Sequence, residues 1–348
     1  MTDDTQALTV EAARDWENLA DDELLRVRIC DLRLDIEGSE LAPRVRQLYD
    51  ELEARSLAMR PVCYLGDEWF SPEGVPAISI PFYLAHPRLK ALEQSMLMEV
   101  EGGDPAWCQR LLRHECGHAI EHAFSLQKRP RRRELFGSSS VDYAPHTYRP
   151  HPYSKSFVKN LPNWYAQAHP DEDWAETFAV WLDPESDWRK RYRGWKALAK
   201  LEYVDEVMRR LAGKTPRVTD GPHDYEIRRL RMTLGAYYKK RRRLYAADAP
   251  DFYDRDLRTL FGSGDSPSRR TAAAFMRRHR KEIVDCVSRW TSERKITIEF
   301  LAKKLTERAE TLGLLLARDE AEVSTDVAAY LATLVCYYRF TGKFKRTV

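Results

Sequence analysis

The run His114-Glu115-Cys116-Gly117-His118 restricts this chain more than any other stretch. On a helix, residues four apart stand on one face, one turn from each other. Two imidazoles placed that way can meet one Zn2+ at about 2.0–2.1 Å each. Glu115 sits beside that face, where its carboxylate can reach a metal-bound water rather than the metal. The motif thus requires a helix, and its neighbours supply one that is partly buried, with Leu111 and Leu112 before it and Ala119, Ile120 and Phe124 after it. Asp104-Pro105 opens that helix as an N-cap followed by a proline in the first turn, which predicts helix over residues 105–126.

A catalytic zinc site needs a third protein ligand and an open fourth position. The extended pattern with a third histidine six residues on fails, because Glu121 stands where its glycine belongs and Phe124 where its histidine belongs. His122 lies too far along the axis to close the same site and reads as a solvated or supporting histidine. A better source is Pro170-Asp-Glu-Asp-Trp-Ala-Glu-Thr-Phe-Ala179, on a second helix with an apolar stripe of Trp174, Phe178, Trp181 and Leu182. Glu172 and Glu176 share a face there. One could bind zinc while the other orients a ligand histidine through its second ring nitrogen, a task Asp173 could also serve.

An H-E-x-x-H followed by Glu172-Asp-Trp-Ala-Glu-Thr-Phe178 resembles the glutamate-zincin metallopeptidases, above all the bacterial proteins described as "putative zinc-binding metallopeptidases". The same cadence occurs in the group of anthrax lethal factor and Pro-Pro endopeptidase. The resemblance covers residues 60–205, with its specific motifs at 114–118 and 165–178. It implies that the first glutamate, Glu172, is the third ligand. It also implies that Tyr165, seven residues earlier, hydrogen-bonds the oxyanion that forms when water attacks an amide. Tyr148, Tyr153, His151 and His169 lie in the same region and are substitutes for that role. Such enzymes hold an extended substrate along an exposed strand, and the residues around Ile78–Tyr83 are the expected strand.

The rest of the chain fits around these motifs. Residues 24–36, LLRVRICDLRLDI, alternate in polarity and predict a strand. Leu41, Val45, Leu48, Leu52 and Leu57 predict a helix over 41–58, and PVCYLG after it a short strand. The β-rich residues 75–84 contain two prolines, which restricts them to an edge. Residues 127–163 are basic and rich in Pro, Ser and Tyr without periodicity, and read as a long loop. Beyond residue 200 the pattern is almost wholly helical. The expected fold is α+β: a zincin-like metallopeptidase domain over residues 1–205, with a small mixed sheet and an active-site helix, then a mostly α-helical region over 206–348.

Charge separates the function classes. Among 348 residues, 57 Lys and Arg face 54 Asp and Glu, so the net charge of +3 gives no bulk attraction to nucleic acid or to acidic membranes. Two basic runs, Lys128–Arg133 and Lys239–Arg243, could grip phosphates, the second with Tyr237, Tyr238 and Tyr245 beside it, but charge runs are usually solvated faces. The first run could instead select acidic residues in a peptide. No apolar run is long enough to span a bilayer. The acidic, polar amino terminus and six scattered cysteines with no C-x-x-C pair point to free thiols in the cytoplasm. Cys116 faces away from the metal side of its helix.

These features predict a cytoplasmic zinc metallopeptidase acting on a protein or peptide. One Zn2+ per chain is bound by His114, His118 and Glu172, with Glu115 and Tyr165 catalytic and Glu176 or Asp173 behind a histidine. The rival is a zinc-containing scaffold whose basic helical region engages a protein or nucleic acid. Glu115 separates the two, because a structural zinc site has four protein ligands and needs no general base.

Overall fold

The computed structural model describes residues 12–97, 99–143, 150–151, 153–246, 253–261 and 270–341. It divides into two compact units: the residues up to Ser95 with Val100–Tyr237, and Met96–Glu99 with the residues from Tyr238 on. The architecture is α+β and mostly helical, with thirteen α-helices and one small sheet among the described residues.

In chain order the first unit contains α1 (Asp21–Leu24), α2 (Leu41–Ala54), β1 (Val62–Gly66), β2 (Ala77–Pro81), α3 (Pro87–Leu97), α4 (Pro105–Phe124), α5 (Pro130–Phe136), α6 (Pro170–Leu182), α7 (Trp188–Arg191) and α8 (Ala197–Leu211). α9 (Leu234–Ala246) starts within it. Residue 205, where the sequence suggested a domain end, lies inside α8, and the first unit continues to Tyr237.

α4 and α6 are the centre of this unit. Fourteen of the 20 residues of α4 and eleven of the 13 of α6 are buried, so neither helix has a solvent face of ordinary width. Gly117 explains how closely they meet: a Cβ there would lie 2.9 Å from Ala175 Cα and 3.1 Å from Phe178 Cβ. The Trp174 indole then donates to the Gly117 carbonyl at 2.9 Å, pinning one helix to the other. Asp104 caps α4 as expected, accepting from the backbone N–H groups of Ala106 and Trp107 at 3.0 Å each.

Buried ion pairs fix what surrounds the two helices. Arg113 on α4 reaches Glu51 of α2 at 2.7 and 2.8 Å and Asp183 at the end of α6 at 3.1 Å. Arg132 of α5 is wholly buried and binds Glu121 of α4 at 2.7 Å and Asp171 of α6 at 2.5 Å. Arg132 belongs to the first basic run, so this residue is a structural clamp rather than a phosphate or substrate contact. The run itself is helical over Pro130–Phe136, where a long loop was expected, with proline in the first turn.

The sheet is small. β1 and β2 pair in parallel from Val62↔Ala77 to Gly66↔Pro81. The connection between them folds back so that Phe70 makes an antiparallel bridge to Ser79 on the far side of β2. β2 is therefore covered on both edges at its middle, and all five of its residues are buried. The exposed rail expected around Ile78–Tyr83 is not there: β2 gives way to a buried 3-10 turn at Phe82–Ala85.

The strand expected over residues 24–36 is also absent. Leu24, Val27, Ile29 and Leu32 are buried, but Leu24 ends α1, Val27 lies in the bend after it, and Ile29 and Leu32 belong to a 3-10 turn over Ile29–Asp31 and its C-cap. Ile29 and Cys30 donate to the carbonyls of Met232 and Leu230, so a single rung near Arg28↔Thr233 replaces a ladder. Alternation over so few residues does not distinguish a strand from consecutive turns that bury the same side chains.

Among the described residues the regular elements of the second unit are helices: α9 from Tyr238 on, α10 (Asp254–Phe261), α11 (Ala272–Thr291), α12 (Lys295–Thr311) and α13 (Glu320–Thr341), with one antiparallel bridge, Thr271↔Leu315. Its core joins Leu257 and Phe261 to Phe275, Ile283 and Val287, to Ile298, Leu301 and Leu305, and to Val323, Val327 and Leu331. Many of its surface cations are matched, Arg308 with Asp254, Arg280 with Glu299 and Arg318 with Asp326 among them. No helix among the described residues is long and apolar enough to cross a membrane.

Candidate metal centre

α4 presents His114 and His118 one turn apart toward the first turn of α6, where Glu172 faces them. The His114 Nε2 and His118 Nε2 atoms are 3.3 Å apart. One Glu172 carboxylate oxygen, Oε2, lies 3.0 Å from the first and 3.4 Å from the second. Tetrahedral ligand atoms at 2.0–2.1 Å from a zinc ion would stand about 3.3–3.4 Å from one another. The observed triangle has nearly that edge, and two imidazole nitrogens with a carboxylate oxygen are the donors zinc prefers. The residues fit the ion. Among the described residues this is the one cluster of three or more such groups close enough to share a metal.

Glu176, one turn beyond Glu172, meets His114 Nδ1 at 2.9 Å through Oε1. That carboxylate also accepts from the Asn160 side-chain amide and the Leu161 backbone N–H, both at 2.8 Å. With Glu176 accepting from every side, His114 Nδ1 carries a proton in that contact, so in the neutral ring it is Nε2 that keeps the lone pair for a metal. Asp173 points elsewhere, to Lys200 of α8. Burial pushes its carboxyl up to about 7 even with the ammonium beside it.

The electrostatics of the site follow from burial and the two glutamates. Burial opposes protonation of His114, but its hydrogen bonds to Glu172 and Glu176 overcome that and hold it well above the ordinary imidazole range. His118 is raised for the same balance of reasons, with Glu172 as its partner. Glu172 is buried, which alone would raise it, yet the two histidines hold it well below the usual carboxylate range. Glu115 is 6% exposed, and burial raises its carboxyl while His114 and His118 pull the other way.

Tyr165 lies on a 3-10 turn over Pro162–Gln167, with its ring 5.7 Å from that of His114. Its hydroxyl is 3.2 Å from the hydroxyl of Tyr143, which in turn donates to Glu172 Oε1 at 2.7 Å. Burial raises both phenols far above their ordinary range.

The remaining residues singled out in the sequence fall outside the triangle. His169 is buried as the N-cap of α6, its Nδ1 accepting from the Asp171 N–H at 3.2 Å and its Nε2 lying 2.9 Å from the Val141 carbonyl. Tyr153 is 76% exposed and His151 is at the surface, while Tyr148 lies outside the described residues. His122 is partly buried, its Nδ1 has no hydrogen-bond partner among the described residues, and burial lowers it to about 4. Cys116 is fully buried on the far side of α4, near Cys63 and Glu51. In the second basic run, Tyr237, Tyr238 and Arg241 are buried, so these two tyrosines offer no open stacking face, and the side chains from Arg242 to Ala246 lie outside the described residues.

Sequence reasoning missed Tyr143, Asn160 and Arg132. None has a spacing relation to the zinc motif. Asn160 and Tyr143 come from irregular segments, and Arg132 was hidden in a run of like residues.

No curated protein and no solved structure matches the chain. Residues 111–188, which carry both histidines and both glutamates of the site, match the family model described as "Putative zinc-binding metallo-peptidase".

Proposed function

We propose that this chain is a zinc metallopeptidase of the H-E-x-x-H plus glutamate type, cutting peptide bonds in a protein or peptide. His114, His118 and Glu172 would hold one zinc ion, whose chemistry when bound is to polarise the substrate carbonyl and make water acidic near neutral pH. The observation that carries this reading is the convergence of two imidazole nitrogens and one carboxylate oxygen within 3.0–3.4 Å of each other.

Glu115 takes a proton from the attacking water and later delivers it to the leaving amine. Burial favours its neutral form, which helps the second of those tasks. Tyr165 donates its phenol proton in a hydrogen bond to the oxyanion as charge builds on the carbonyl oxygen. Glu176 keeps the His114 ring in one tautomer and one orientation. The motif layout shared with the lethal factor and Pro-Pro endopeptidase group supports Glu172 as ligand and Tyr165 as donor. Six free cysteines agree with a reducing, cytoplasmic setting. Paired cations on the second unit disfavour nucleic acid as a partner.

The test is to incubate the zinc-loaded protein and its Glu115→Ala variant with a diverse peptide mixture and read new termini by mass spectrometry. New termini from the wild type alone support the proposal. An equally active variant, or no new termini from either protein with zinc bound, argues against it.

A further inference from the structure

We infer that Tyr143 is the positioning residue that makes Glu172 a one-oxygen ligand. The inference rests on the zinc site proposed above and adds to it a residue that no motif contains.

The argument is a count of protons and lone pairs. Glu172 has two oxygens, and the two histidine nitrogens face only Oε2. The other, Oε1, receives the Tyr143 hydroxyl at 2.7 Å. A carboxylate ion has no proton to give, so Tyr143 must donate in that bond. A phenol has one proton. Once it is spent on Glu172, the Tyr143 oxygen is left as an acceptor toward the Tyr165 hydroxyl 3.2 Å away.

The consequence concerns the metal. With Oε1 occupied, Glu172 would present a single oxygen to the ion and be kept from chelating it through both, which preserves the open positions that substrate and water need. Tyr143 itself is 55% exposed while its hydroxyl reaches the buried carboxylate.

The experiment uses the full chain with Tyr143→Phe and Tyr165→Phe, each changing one hydroxyl. Zinc affinity is measured by competition with a chromophoric chelator, the cobalt(II)-loaded proteins are compared by visible absorption, and thermal melts of the metal-free proteins check folding. Tyr143→Phe should bind zinc about 10- to 100-fold more weakly, the usual loss when a partner behind a ligand is removed. Its cobalt spectrum should weaken toward that of a five-coordinate ion as Glu172 turns to offer both oxygens. Tyr165→Phe should keep both properties within twofold. Tyr143→Phe with unchanged affinity and spectrum, or equal losses in the two variants, would overturn the inference while leaving the zinc site standing. A wild type that binds no zinc would overturn both.

Discussion

At the scale of single residues, the chemistry divides into groups that touch the reacting centre and groups that hold them. Glu115→Gln removes the proposed proton acceptor but none of the three converging donor atoms. It should keep zinc and lose peptide cleavage by roughly 100- to 10,000-fold in kcat, read from initial rates on a cleaved peptide. Glu176→Ala removes the acceptor behind His114 Nδ1. Its expected signature is the reverse, zinc affinity lower by about 10- to 100-fold in a chelator titration, with activity restored by excess zinc. His122 gives a prediction about pH. Its imidazole is lowered to about 4 by burial, against about 6.5 in an unfolded chain. Native and unfolded states bind equally few protons there above pH 6.5. As pH falls below that, the unfolded chain gains a proton that the native site resists, so stability is lost between pH 6.5 and about 4. In His122→Gln the thermal midpoint should drop less over that window, by the equivalent of about 1–3 kcal/mol. An identical acid profile would remove His122 from the account.

At the scale of elements, the site is the product of one close helix contact. Gly117 lets α4 and α6 approach until the first turn of α6 presents Glu172 to both histidines. Gly117→Ala would force a methyl group against the backbone of Ala175, costing about 1–3 kcal/mol and spreading the triangle. A lower thermal midpoint together with weaker zinc binding is expected, and a melt shift without any change in zinc affinity would contradict the coupling. Arg132 is the second pin. Arg132→Met would leave Glu121 buried without its partner, which typically costs about 3–5 kcal/mol, measured by urea unfolding.

The elements differ in how far the sequence disclosed them, for physical reasons. Helix α4 announced itself through Asp104-Pro105 and its motif, and Glu172 with Glu176 through one-turn spacing. Both are local relations. The stretch over 24–36 misled because four buried apolar residues on consecutive turns imitate alternation, and β2 because its second edge is covered by Phe70, which no local pattern reveals. Tyr143 and Asn160 act on glutamates 29 and 16 residues away from within irregular chain, so only the folded arrangement identifies them.

For the whole molecule, the His114–His118–Glu172 cluster lies wholly in the first unit, and so do the residues behind it. The second unit has its own core from α10 to α13. A chain ending after Ala246 should therefore fold and bind zinc as tightly as the full-length protein, checked by circular dichroism and chelator titration.

Zinc stoichiometry across ligand variants tests the central claim most directly. Metal content after dialysis against trace zinc would be measured for the wild type, His118→Ala, Glu172→Ala and Glu115→Gln. The account predicts one zinc per chain in the wild type and in Glu115→Gln, and almost none in the other two. Retention of a full zinc by Glu172→Ala, or its loss in Glu115→Gln, would contradict the assignment of His114, His118 and Glu172 as the metal site.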